Sequence, residues 1–527
     1  MLNIAPTLLL LLAVAVTACA PKSELATQEV SSSRYVGGLT SDGLVEFYLG
    51  IPFAKAPVGD LRWMPPQPLE ENTANFSSTI KAREFAPACM QGPHLTNWYK
   101  EVIQSFGGDP DSFLQPKVSE DCLYLNVWKS RDIDERAEPS KRPVLVFIHG
   151  GSNKGGWSYE PNYLGEQLAK RGIIVVTIAY RVGAFGFFAH PELDQVNFGL
   201  LDQVAALTWV KENIADFGGD ADNVTVAGES AGANNIEYLM ASPIAKGLFQ
   251  RVAHQSGGSV MHDRTSKDVH EALGSTLAGR VLGEDANGGI KALRKASSKQ
   301  IINAAHEVYA NHYFDPVVDG HSVIEPLSQS IESSTFAEVD LLIGANADEW
   351  TVYVEDSETI DSWLNKNLPH LNVAAIKRVL NNGESAIKQL DRLITAHYFV
   401  CPSLSLANAN SKHGGNSWFY QFSRVRPGAL AASMGAYHGA ELPYVFGTHD
   451  DWLPTNQQDL DVGESVMSYW VNFAKTGNPN GVNAIQAALP HWPAYKNDGD
   501  LIQNINTEII SQVHSSQKLC EILMPNR

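Results

Sequence analysis

The run Thr225-Val226-Ala227-Gly228-Glu229-Ser230-Ala231-Gly232 constrains this chain more than any other, because apolar β-formers lead straight into G-x-S-x-G. The pattern predicts a strand that ends in a tight turn and hands over to a helix, with the Ser230 hydroxyl pushed out ahead of it. Glycine suits positions 228 and 232 because a β-carbon at either would crowd the neighbouring strand or the following helix. G-x-S-x-G alone is a frequent chance match, compatible with an ordinary glycine-rich β–α turn. Its upstream surroundings narrow the choice. Val144-Leu145-Val146-Phe147-Ile148 reads as a buried strand that stops at His149-Gly150-Gly151, the type of loop whose backbone N–H groups build an oxyanion hole. Two halves of an acyl-transfer site are therefore present, in the expected order.

Around these motifs the text alternates. It predicts strands at 143–148, 173–179, 224–227, 252–255 and 340–344, with helices at 200–216 and 231–241. Such alternation implies an α/β fold, a mostly parallel central sheet covered by helices on both faces. In the first helix Leu200, Leu201, Val204, Leu207, Val210 and Ile214 fall close to helical spacing, while Asp202, Lys211 and Glu212 mark a solvated side. Residues 261–313 and 357–398 turn helical and are expected to form cap insertions beside the site. Before residue 143 the chain is dense in turn signals, as in Leu49-Gly50-Ile51-Pro52-Phe53, which predicts loops and small strands over one end. With 527 residues and 44% hydrophobic composition, one continuous domain can bury all of this. The division read from the sequence is a signal peptide at 1–20, a flexible polar segment at 21–34 and a single domain at 35–527.

The net charge of −19 argues against nucleic acid or anionic lipid headgroups as partners, since both need basic surface. Leu8 to Val16 form an apolar run too short to span a bilayer, the layout of an export signal. Val16-Thr17-Ala18-Cys19 is similar to a bacterial lipobox, in which Cys19 would carry lipid and become the mature N-terminus. Ala18-Cys19-Ala20 would also satisfy an A-x-A cleavage site and leave a soluble secreted protein. The expectation is an exported protein, periplasmic or held at the outer membrane by lipid on Cys19, with plain secretion as the alternative. Four further cysteines, Cys89, Cys122, Cys401 and Cys520, favour disulfides over metal, and spacing leaves their three pairings open.

Taken together, several segments resemble the type B carboxylesterases of the α/β-hydrolase superfamily. They include Tyr48-Leu49-Gly50-Ile51-Pro52, Ser119-Glu120-Asp121-Cys122-Leu123-Tyr124-Leu125-Asn126, Asn197 to Gly232, Gln255-Ser256-Gly257, Tyr437-His438-Gly439-Ala440-Glu441, and Tyr469 to Gly477 in the family's terminal helix. The resemblance covers nearly everything from about Tyr35 onward. It implies an α/β-hydrolase fold with helical cap insertions and a serine esterase that cleaves small-molecule carboxylic esters through an acyl-enzyme, without metal or cofactor. A lactonase, amidase or transacylase using the same residues is the nearer alternative, and a non-catalytic surface-binding homologue the more distant one.

The same resemblance assigns roles. Ser230 is the nucleophile, and His438, in the family's H-G-x-E segment, is its base, lying C-terminal to the acid as the α/β-hydrolase order requires. His149, His190, His254 and His449 are read as structural. In Leu341-Leu342-Ile343-Gly344-Ala345-Asn346-Ala347-Asp348-Glu349 the family's N-x-D-E pattern puts the third member on Glu349, with Asp348 as its rival. Backbone N–H groups of Gly151, Ser152 and Ala231 would hold the oxyanion. Glu229, Ser256 and Glu441 match positions around the triad, with structural hydrogen bonding as good a reading as a catalytic one. The resemblance also implies the pairs Cys89 with Cys122 and Cys401 with Cys520.

Three positions depart from the family's commonest pattern. Ser152 stands where glycine or alanine is usual, Asn153 where an aromatic is usual, and Trp350 where glycine often follows the acid. The expectation is that Ser152 and Asn153 crowd the scissile carbonyl while removing an aromatic wall, and that Trp350 lines the pocket. Trp98 does not match the spacing of the choline-binding tryptophan of cholinesterases, so no choline-ester preference is read.

Overall fold

The computed structural model describes residues 29–69, 79–131, 141–262, 266–283, 288–333, 335–354, 357–449, 452–496 and 501–524. The expected signal, Cys19 and the start of the expected flexible segment lie outside them. The main sheet runs through β1 (Glu29–Ser32), β2 (Tyr35–Leu39), β3 (Val45–Pro52), β4 (Tyr124–Ser130), β5 (Arg142–Ile148), β6 (Ile174–Ile178), β7 (Gly219–Glu229), β8 (Arg251–Gln255), β9 (Asp340–Asn346), β10 (Ser417–Phe422), β11 (Leu501–Ile505) and β12 (Ile510–Val513). Their spatial order is β1-β2-β3-β4-β6-β5-β7-β8-β9-β10-β11-β12, and the short strand Ile80–Lys81 pairs with β2. From β6 to β11 every pairing is parallel. β1 to β4 and β12 join antiparallel at the two ends.

Burial on both faces explains why the central strands read as unbroken apolar runs. In β5, Val144, Val146 and Ile148 pack into one core and Leu145 and Phe147 into the other. The first core includes Leu200, Leu207 and Val210 of the helix Phe198–Asn213. The second includes Val462, Val466, Tyr469, Trp470 and Phe473 of the helix Gln457–Thr476. A capping box between Asn456 and Asp459 starts that last helix, and Gly477 at φ 79° stops it.

The expected central strands and helices are present with small shifts at their ends. The cap insertions are helical at Lys267–Leu282, Ser298–Val308, Ile360–Asn367, Val373–Leu380 and Ala386–Thr395. Two expectations need correction. Asp202 does not face solvent: it is fully buried and receives two side-chain hydrogen bonds from Arg181, at 2.7 and 2.8 Å, plus the Arg181 N–H at 3.0 Å. A carboxylate on the apolar face survives there because its partner neutralises it. The expected flexible segment 21–34 also ends too late, since Glu29–Ser32 form β1 against β2. Disulfides join Cys89 to Cys122 and Cys401 to Cys520, as the resemblance implied. Among the described residues no helix is long and apolar enough to cross a membrane.

Candidate active site

Strand β7 ends at Glu229, and Ser230 turns the chain at φ 57°, ψ −124° into the helix Ala231–Ala241. A positive φ on a residue with a β-carbon is costly and must be held by its surroundings. Here the Ser230 N–H donates to the Gln255 carbonyl of β8 at 2.9 Å, and the Ser230 carbonyl accepts from Asn234 N–H at 2.9 Å. Both glycines are required. A β-carbon on Gly232 would lie 2.1 Å from the Ile148 carbonyl oxygen of β5, and one on Gly228 would lie 2.8 Å from Gly232.

At the end of β9, Glu349 is wholly buried and accepts three hydrogen bonds of 2.6 Å, from Ser256 Oγ, Asn346 N–H and His438 Nδ1. Those bonds fix the carboxylate and orient the ring, leaving Nε2 of His438 toward the cavity that Ser230 also borders. Asp348 is engaged elsewhere: it accepts from Lys388 Nζ at 2.7 Å and from Ala436 N–H at 2.8 Å. Among the rival histidines, His254 meets Glu237 at 2.8 Å beneath the sheet edge, and His149 stacks on Tyr180.

The cavity of about 240 Å³ over Ser230 is lined by Ser152, Ala231, Ser256, Asp315, Trp350, Tyr398, Phe399 and His438 among others. Gly151, Ser152 and Asn153 all have positive φ, and a β-carbon on Gly150 would lie 3.0 Å from Ser230 Cβ, so this loop runs beside the Ser230 turn. Gly151 N and Ser152 N come from that loop and Ala231 N from the first helical turn, the two elements that flank the Ser230 turn. Ser152 borders the cavity as expected. Asn153 does not: it is fully buried, donating to the Phe314 carbonyl at 2.8 Å and to Asn235 Oδ1 at 3.2 Å, and accepting from Tyr180 at 3.2 Å. It is a buttress behind the loop. The expected crowding therefore falls to Ser152 alone. Trp350 does line the cavity.

Three carboxyl groups, Glu229, Glu349 and Glu441, act on His438. Glu229 Oε1 lies 3.2 Å from its Nε2, and burial, reinforced by Glu441, Glu349 and Glu160, pushes the Glu229 carboxyl up to about 8 despite the opposing pull of His438. Glu441 accepts from Gln255 at 2.9 Å and Asn346 at 2.6 Å, which ties the ends of β8 and β9 to the His438 loop; burial raises its pKa as well. For His438 itself burial works downward, yet the charges of Glu229 and Glu349 outweigh it and lift the imidazole to about 9. An imidazole held this way can take a proton from a hydroxyl and shelter the resulting cation.

Several wall residues carried no sequence signal. Trp98, set aside on spacing, borders the small cavity beneath His438 beside Glu229 and Tyr353. Tyr398 and Phe399 reach the site from a π-helical turn, Ala396–Val400, of a kind often found at functional sites.

The carboxylesterase family model matches residues 35–522. Across 95% of this chain and 99% of its own length, the para-nitrobenzyl esterase of Bacillus subtilis is 32% identical. The liver carboxylesterase of Sus scrofa is 31% identical over 93% of this chain and 91% of its own. A solved structure of a PNB esterase superposes with a TM-score of 0.76 at 31% identity, covering 95% of this chain and 100% of that one. The chain belongs to the carboxylesterase family, with the α/β-hydrolase fold and the function of a carboxylic ester hydrolase.

Proposed function

We propose that Ser230 attacks carboxylic esters of small molecules with His438 as general base and Glu349 as the carboxylate that orients it. The observation that carries this reading is the 2.6 Å bond from His438 Nδ1 to buried Glu349, on a ring whose other edge borders the cavity of a strained serine turn. Serine is a weak nucleophile until a base takes its proton. As Oγ bonds to the carbonyl carbon, that proton passes to His438 Nε2, and the new oxyanion is held by the N–H groups of Gly151, Ser152 and Ala231. The imidazolium then protonates the leaving alcohol. Water, deprotonated by the same ring, attacks the acyl-enzyme and frees the acid. Glu349 stabilises the imidazolium in both halves, while Ser256 and Glu441 support it by hydrogen bonds to Glu349 and to the loops.

A serine-directed organophosphonate should label Ser230 and no other serine, with loss of turnover in proportion to labelling. Labelling elsewhere would remove the assignment. A non-catalytic role is not favoured, because serine, histidine and glutamate fill the three positions and the His438–Glu349 bond is made. The N-terminal reading is a separate part of the proposal: export with lipid on Cys19, resting on Val16-Thr17-Ala18-Cys19. Mass spectrometry of the mature chain should find a lipid-modified Cys19 at its start, and a mature chain beginning at Pro21 would mean plain secretion.

A further inference from the structure

Beyond the oxyanion loop lies a second cavity, about 480 Å³, twice the size of the one over Ser230. His94 stands in the wall of both. Among the described residues its polar groups are all donors or neutral, the Lys154 ammonium, the His94 and His306 imidazoles, the Tyr309 hydroxyl and two side-chain amides, with no aspartate or glutamate in the wall. In a chain with 58 acidic and 39 basic residues, that selection is unusual.

Lys154 is half-buried and makes no ion pair among the described residues. Burial pushes its ammonium below the ordinary lysine range. Nearby, His94 is lowered first by burial and then by the Lys154 charge, which shows the two to be neighbours. Tyr309 is 2% exposed, its ring stacked on Phe314 at 4.5 Å, and its hydroxyl has no hydrogen-bond partner among the described residues. A buried donor without an acceptor is costly, and a ligand oxygen relieves that cost. The backbone fixes this cavity relative to the reacting centre. Lys154 N–H donates to the Gly151 carbonyl at 2.9 Å, and Lys154 is two residues beyond Ser152 on the same loop.

We infer that this cavity binds a carboxylate at the far end of the substrate's acyl chain, so that the enzyme selects half-esters of dicarboxylic acids. The inference rests on the esterase reading given above. Which half of the ester enters follows from the proton transfers. His438 must reach the leaving alcohol, and His438 forms no part of the Lys154 cavity. An ester whose carbonyl oxygen sits in the oxyanion hole therefore sends its alcohol along the His438 wall and its acyl chain past the loop. Phe185, Phe314 and Ile302 give the methylenes apolar cover, and Lys154 with Tyr309 meets the terminal charge.

The test compares kcat/KM of the full chain for monoethyl esters of C4 to C8 dicarboxylic acids with that for ethyl alkanoates of equal length. At low salt the wild type should prefer the half-ester at one or more lengths. Lys154→Met should lower the half-ester to alkanoate ratio by about 10–100-fold, Lys154→Arg should keep most of it, and added salt should narrow it. On wild-type protein alone, adipate should inhibit alkanoate hydrolysis competitively and much better than hexanoate. An unchanged ratio in Lys154→Met, or equal inhibition by the two acids, would overturn the inference while alkanoate turnover left the esterase reading standing. If the wild type cleaved neither series, both would fall.

Discussion

The carboxyl edge of the sheet and the helices that roof it are held by different forces. At the edge, Ser230 and Ser256 sit at φ 57° and 55° at the ends of adjacent strands, and Glu349, just past the end of the next strand, accepts three short hydrogen bonds. Each left-handed residue costs about 1–3 kcal/mol and persists only where its neighbours over-determine it. The roof has no such investment. Its helices hold on through apolar anchors such as Ile301, Ala304 and Leu293 on one side and Leu390, Leu393 and Ile394 on the other. The difference assigns two duties. Under the proposed mechanism the fixed atoms that chemistry needs come from strand ends and the backbone of the oxyanion loop, whereas the shaped wall that selectivity needs comes from the insertions and that loop's outer side chains.

If that division is right, substitutions at the edge should cost rate on every ester. The largest effect is expected from Ser230→Ala, a loss of about 10⁴–10⁶-fold in kcat with a melting temperature close to wild type, measured on any substrate the enzyme turns over. Substantial residual turnover would mean that another nucleophile operates. Next comes the choice between adjacent carboxyls. Glu349→Gln should lower kcat by about 10³–10⁴-fold, because the ring loses its orienting charge. Asp348→Asn should act mainly on stability, by about 1 kcal/mol, since its half-exposed partner is Lys388. A larger rate loss from Asp348→Asn would transfer the role.

Much of this edge was legible in the sequence because strained turns leave few residue choices. Gly228 and Gly232 flank Ser230 for reasons that bond lengths alone decide, and the strand at 340–346 delivers Glu349 to the same end of a parallel sheet. The roof was legible only as helix. Nothing in the spacing of Tyr398 and Phe399 announces a π-helical turn, and the aromatic strand Ser417–Phe422 reads as neither alternating nor helical because both its faces are buried. Asp202 misled for the opposite reason: a carboxylate in a helix implies a wet face unless an arginine from another element, here Arg181, is known to reach it. Asn153 misled likewise, since its partners Phe314, Asn235 and Tyr180 come from three distant segments.

Substitutions in the outer wall should instead change which ester is preferred. Ser152 projects into the cavity while Asn153 does not, so the crowding of the scissile carbonyl rests on one hydroxymethyl group. Ser152→Gly should raise kcat/KM for a tertiary-alcohol ester over its primary counterpart by roughly 10–200-fold, the range that a small change in a pocket supplies. The same change should not destabilise the protein, because glycine accepts the φ of 57° without strain. Equal gains for both esters would place Ser152 among the backbone donors alone.

The smallest effect tests a residue that belongs to both regions. Glu229 ends strand β7, yet its carboxyl lies in the wall, 3.2 Å from the Nε2 proposed to accept the serine proton. Its negative charge favours the imidazolium, so it is one reason His438 stands near 9, and only the neutral ring can act as base. Activity should therefore climb with pH on an alkaline limb that belongs to the Glu229–His438 pair rather than to either group. Glu229→Gln removes the charge and keeps the shape. Without it the imidazolium gives up its proton sooner, and the limb in kcat/KM should move down by about 1 unit, with the alkaline plateau within about tenfold of wild type. The opposing influence is burial, which lifts Glu229 toward neutrality; a Glu229 that carried no charge while His438 titrated would leave the limb where it was. A limb that stayed put would thus make Glu229 a neutral part of the wall, and a downward shift would make it part of the edge.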